Sequence, residues 1–158
     1  MSSVTDRWIP TTDRDQLVRD ALVAVRSFSD SMDRMHGVLR SDMDMNGSDL
    51  AALRMLIVRE QRGEWVSPHE IARHLAISTA STTKLLDRLA ERGHIERRPH
   101  PADRRARIVV LTDRARSEFY RHLGARMAKM RDVMDAYSDD ELRAIARFLD
   151  DMDDAMVD

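Results

Sequence analysis

The stretch from Ser67 to Thr112, SPHEIARHLAISTASTTKLLDRLAERGHIERRPHPADRRARIVVLT, leaves few folds open. It reads as two short helices, a glycine stop, and two short strands joined by a basic loop. Ser67 with Glu70 three positions on is a capping box, and Pro68 sits at a first helical position, where no N–H is needed. Ile71, Ala72 and Leu75 keep to one helical face. Ser78 caps a second helix whose inward line runs Thr82, Leu85/Leu86 and Leu89. Only Ala76, Ile77 and Ser78 separate the two helices, the length of a helix-turn-helix corner. Gly93 follows where a left-handed C-terminal residue is wanted.

The outward face of the second helix carries the chemistry. Ala80, Thr83, Lys84, Asp87 and Arg88 lie away from the leucine line, with Thr79 and Ser81 near the N-terminal end. Hydroxyls and helix N–H groups followed by cations suit a major groove, where they meet phosphates and base edges. An amphipathic helix with a solvated face has the same pattern, so the sequel decides. Pro99-His100-Pro101-Ala102-Asp103-Arg104-Arg105 separates two short segments, the second of them the β-branched Ile108-Val109-Val110-Leu111. A proline-bounded basic tip between two strands beside a helix-turn-helix is a wing.

With Asp103 and Arg105 in the wing, then an apolar strand and Leu111-Thr112, the segment resembles the winged helix of the MarR family of bacterial transcription regulators. That family's wing carries Asp-x-Arg, an apolar strand and Leu-Thr in this order. His94, where an aliphatic residue is usual, and Ala115, where a glycine is frequent, depart from the pattern without touching the reading face. The resemblance implies a mainly α fold with a small β-wing, its terminal helices forming a dimerisation base. It also implies double-stranded DNA with a pseudo-palindromic operator as partner, a homodimer, and a role as repressor released by a small lipophilic or aromatic effector. The DNA-binding set expected is Ser78, Thr79, Ala80, Ser81, Thr83, Lys84, Arg88, Asp103, Arg104 and Arg105.

The flanks fit this organisation. Residues 1–45 form an arm (Met1 to about Thr12, with Trp8, Ile9 and Pro10) and a long dimerisation helix with one apolar stripe from Val18 to Leu39. Residues 46–112 form the winged module, opened by an Asn46-capped helix, with Trp65-Val66 as a third small strand. Residues 113–158 hold two further helices, the last capped by Ser138 and striped with Leu142, Ile145, Phe148, Leu149 and Met152. Two unmatched stripes in a small chain call for a second copy. Their helical spacing makes the eleven methionines packing residues rather than a metal or redox cluster.

Charge distribution supports a nucleic-acid partner where net charge, −2, does not. From Lys84 to Arg107 eight cations face four acids, a balance of +4, while from Asp132 to Asp158 ten acids face two arginines, a balance of −8. No cysteine is present, no apolar run reaches the roughly 20 residues of a membrane span, and no signal peptide is visible, so a cytoplasmic protein without membrane contact is expected. His69 and His74 are five apart, on different helical faces, and His94 and His100 lack a third ligand nearby, so no metal and no cofactor are expected. Phosphate-loop and hydrolase motifs are absent, and no enzymatic activity is expected. Two alternatives stay open: a winged-helix module that binds proteins without specific DNA binding, and a metal-responsive regulator.

The resemblance places an effector crevice where winged modules join the helical base. Met32, Met35, His36, Leu39 and Arg40 of the first helix, Leu53 and Arg54 of the second, and Trp65 are its expected walls. Apolar walls with one or two cations suit an aromatic or lipophilic acid, with Arg40 or His36 facing its carboxylate.

Overall fold

The computed structural model describes residues 11–156, so the expected arm around Trp8 lies outside the described residues. Six helices and two strands follow in order: α1 (Asp13–Asp42), α2 (Gly47–Gln61), α3 (Pro68–Leu75), α4 (Thr79–Glu91), β1 (Ile95–Pro99), β2 (Arg107–Leu111), α5 (Asp113–Met134) and α6 (Asp139–Met156). The chain divides into two compact units, 1–112 and 113–158.

In the first unit, α1 starts from a capping box. Thr12 Oγ1 accepts the Asp15 N–H at 3.1 Å and the Asp15 carboxylate accepts the Thr12 N–H at 3.0 Å. Its apolar stripe stays largely uncovered within the chain: Val18 and Phe28 are exposed and only Leu39 is buried. α2 is the opposite case. Capped by Asn46, it buries Leu50, Ala52, Leu53, Met55, Leu56 and Ile57 and forms the hub of the core. Both helix-ending glycines of this unit adopt the left-handed conformation that their position requires. At Gly93 (φ 73°) two bonds close the end of α4, Gly93 N–H to Ala90 O at 2.9 Å and His94 N–H to Leu89 O at 2.8 Å. The helix-turn-helix corner is turned instead by Ala76, a non-glycine residue at φ 52°.

The inward line of α4 is as the spacing dictates, with Thr82, Leu85, Leu86 and Leu89 all buried. β1 and β2 pair antiparallel, Ile95 opposite Leu111 and Pro99 opposite Arg107, so the proline sits at a strand end where no ladder bond is lost. The expected third strand does not form. Trp65-Val66 touches β2 through one bond, Val109 N–H to Val66 O at 2.8 Å, before the capping box at Ser67 commits the backbone to α3.

That box is reinforced. Glu70 accepts the Ser67 N–H at 2.8 Å and receives Arg59 of α2 at 2.8 Å, and Arg59 also pairs with Glu64. The Ser67 backbone bond chiefly, with its hydroxyl and Arg59, holds the Glu70 carboxyl below its ordinary value of 4.5 against the opposing effect of burial. A depressed folded pKa means stability that is fully present above the unfolded value and lost as pH falls through the folded one. Glu70→Gln is therefore expected to cost about 0.5–1 kcal/mol at neutral pH. It should also flatten the decline of stability below pH 4.5. Thermal melts from pH 7 down to the acid transition check this; parallel curves for parent and variant would contradict it.

In the second unit α5 buries Ala115, Phe119 and Leu123, and Ser138 with Glu141 makes a third full capping box at the start of α6. No α6 residue is buried; Ile145, Phe148, Leu149 and Met156 are all exposed. Among the described residues no helix is long and apolar enough to cross a membrane.

Candidate nucleic-acid interface

The N-terminus of α4 is built from hydroxyls that serve the helix first. Ser78 Oγ accepts the Ser81 N–H at 3.1 Å and donates to Ser81 Oγ at 3.0 Å. The buried Thr82 hydroxyl donates to Ser78 O at 2.9 Å, and Thr83 donates to Thr79 O at 3.1 Å. These bonds leave Thr79, Ala80, Ser81, Thr83 and Lys84 exposed on the first two turns. Between them, the start of α3 and the base of the wing lies a groove of about 420 Å³, lined by Pro68, His69, Thr79, Thr83, Ala106 and Arg107.

The wing tip is fastened by its own backbone. His100 N–H donates to Ala106 O at 2.9 Å, Ala106 N–H to Asp103 O at 3.0 Å, and Ala102 N–H to His100 Nδ1 at 3.0 Å. Asp103 Oδ1 accepts the backbone N–H of Arg105 at 3.0 Å. The aspartate thus orders the turn that presents Arg105, and its guanidinium stays exposed.

Eight cations between Lys84 and Arg107 divide into two groups. Arg97 pairs with Asp87 across β1 and α4 at 2.6 Å, and Arg98 with Glu96 at 2.5 Å. Arg92 donates to the carbonyls of Asp44 (2.6 Å) and Met43 (3.2 Å), tying the end of α4 to the corner between α1 and α2. Arg88 is engaged by the buried Asp49 of α2, Nη2 to Oδ1 at 2.7 Å, and the carboxylate raises the guanidinium pKa further above its ordinary range. Lys84, Arg104, Arg105 and Arg107 form no ion pair among the described residues. The expected set is therefore brought to one end of α4 and the wing, with Arg88 set apart by its carboxylate. Arg107, part of the charge balance but not of the expected set, is also unpaired among the described residues and lines the groove with Thr79 and Thr83.

The effector candidates are less united. Leu39 and Leu53 are fully buried core residues, since each lies on the inward line of its helix, and cannot wall an open crevice. Trp65 stands edge-on to His100 at 6.3 Å and lines a small niche with Leu56, Glu60 and Val109. Arg40 is exposed. Met32, Met35, His36 and Arg54 are half-buried. Burial pushes the His36 imidazole below its ordinary value, the nearby Arg54 guanidinium adds to this, and Asp33 opposes it. Burial lowers Arg54 as well, again against Asp33. Among the described residues no group of three or more His, Asp or Glu side chains is placed to hold a metal ion.

Two helices at a short corner, then a two-stranded wing with a basic tip, define a winged helix-turn-helix. The MarR family model matches residues 43–106, so this segment is similar to the MarR family. It is 30% identical over 98 residues to the HTH-type transcriptional repressor YetL of Bacillus subtilis, covering 62% of this chain and 59% of that one. With the HTH-type transcriptional regulator PecS of Dickeya dadantii it shares 32% over 83 residues, 51% of this chain and 50% of that one. The matched stretch thus spans between half and three fifths of these relatives, which are named as regulators and not as enzymes. The fold is similar to that of a MepR mutant from a multidrug resistant S. aureus clinical isolate, with TM-score 0.68, 17% identity, and 86% and 96% of the two chains covered.

Proposed function

We propose that this chain is a homodimeric, sequence-specific DNA-binding transcription regulator, a repressor released by a small lipophilic or aromatic effector. The observation that carries the reading is the charge division around α4. Three arginines are spent on internal partners and Arg88 is held along one edge by Asp49, while Lys84, Arg104, Arg105 and Arg107 are left open on α4 and the wing, and α4 also presents Thr79, Ala80 and Thr83. Open cations meet phosphates, and small side chains at a helix N-terminus meet base edges. A second copy is the occupant that suits the uncovered stripes of α1 and of α6. Two recognition helices then address half-sites centred about 10 base pairs apart. The repressor sense follows the name of YetL, and a MepR mutant with the same fold has been solved bound to an oligodeoxyribonucleotide. A protein-interaction module without DNA specificity has no need of four unpaired cations on α4 and the wing.

Arg105→Ala is the direct test. It is expected to weaken binding to every duplex and to reduce the slope of log affinity against log salt by about 0.9, one phosphate's share. Anisotropy titrations across salt concentrations measure both. An unchanged affinity would remove the wing from the interface.

A further inference from the structure

Arg88 lies on the outward face of α4, one turn beyond Lys84, yet its guanidinium is gripped from beneath by Asp49 of α2. The carboxylate is 3% exposed, and it accepts Arg88 Nη2 at 2.7 Å and Nε at 3.4 Å. A guanidinium offers five N–H groups in a rigid fork. With the Nε–Nη2 edge turned to the carboxylate, both Nη1 hydrogens and the second Nη2 hydrogen are left over. The Arg88 side chain is 45% exposed, and Nη1 has no partner among the described residues. Arg92, one turn further on, differs: Nη1 and Nη2 both end on carbonyls at the corner of α1 and α2, so it fastens the helix.

We propose that Arg88 contacts DNA through its open Nη1–Nη2 edge, in a pose set by Asp49 as a positioning residue. This rests on the DNA-binding reading above. The open edge fits a pair of acceptor atoms, either two phosphate oxygens or O6 and N7 of a guanine. An unsupported arginine on a helix surface must give up its rotamer freedom when it binds, whereas here the pairing with Asp49 has already fixed the side chain.

The test uses the full chain and a duplex recovered by selection from random DNA, with Asp49→Asn, Arg88→Ala, Arg88→Lys and the double variant Asp49→Asn/Arg88→Ala. Each variant is assayed well below its own melting temperature, so folding is controlled. Arg88→Ala and Asp49→Asn are each expected to weaken binding about tenfold, the discrimination of one bidentate contact. The double variant is expected to bind no worse than Arg88→Ala, because Asp49 acts through the arginine. Arg88→Lys keeps the charge without the fork and is expected to lose affinity as well. The sign at Asp49 is diagnostic, since removing a carboxylate near DNA would on electrostatic grounds alone strengthen binding. A salt slope reduced by about one for all sequences by Arg88→Ala identifies phosphate as the acceptor, and lost preference at one base pair with the slope kept identifies guanine. Asp49→Asn binding as tightly as the parent or more so, or additive losses in the double variant, overturns the proposal. A parent that selects no duplex at all is a different result, and ends the DNA-binding reading itself.

Discussion

Phe148→Asp combined with Leu149→Asp is expected to leave the protein monomeric and to lower its affinity for a two-half-site duplex by about 10²–10⁴, the gain that linking two weak binding events confers. α6 has no buried residue, although Ile145, Phe148 and Leu149 follow one another at helical spacing. Its first turn is well made, with Ser138 and Glu141 exchanging two bonds, so the helix needs no neighbour to start. Adjacent exposed apolar side chains on such a helix suit burial against a second copy. The two aspartates put charge into that face and change no residue of α4 or the wing. Sedimentation and anisotropy on the same sample separate the outcomes: a variant that stays dimeric shows that this face is not where the copies meet.

The second large effect concerns the effector. Arg54→Ala with His36→Ala is expected to raise the concentration of an aromatic acid needed to release DNA by about 10–100-fold, the cost of removing a charge-assisted partner from a half-buried carboxylate. Arg40 is exposed, whereas Arg54 of α2 is half-buried and close enough to His36 to act on its charge, which makes Arg54 the better-placed cation. His36 is held below its ordinary value by burial and by Arg54, and a bound carboxylate would raise it, so binding takes up a proton. Release is therefore expected at lower acid concentration at pH 6 than at pH 8. To move the protein from 1:99 to 99:1 the acid must prefer the DNA-incompetent state by about 5.5 kcal/mol. Equal release of parent and variant by the same acid would contradict the assignment, as would release that is independent of pH.

Local chemistry was legible in the sequence. Ser67 with Glu70, Ser78 before α4 and Gly93 after it are read from neighbours within four residues, and each makes the bonds its position implies. The Thr12–Asp15 box has a fainter signature, since aspartate takes the place of the usual glutamate. Contacts across the chain were not legible. Periodicity puts Arg88 on the outward face of α4 but names no partner, and Asp49 for Arg88, like Met43 and Asp44 for Arg92, is some forty to fifty residues away. Leu39 and Leu53 were placed in a crevice for their apolar character, which serves a core equally well. The bond from the Arg105 N–H to Asp103 Oδ1 spans only two residues, a local turn of the kind that aspartate favours. Trp65-Val66 had strand composition, but the capping box beginning at the next residue leaves no length for a ladder.

The central claim is that the open cations and small residues at the front of α4 and on the wing read duplex DNA. It is tested most directly by selecting duplexes from a random pool and measuring affinity for the winner and for a scrambled sequence between low and physiological salt. The account predicts a pseudo-palindromic winner with half-sites about 10 base pairs apart, favoured at least about 10³-fold over the scrambled duplex, and a steep loss of affinity with salt on both. Weak binding that ignores both salt and sequence would contradict it.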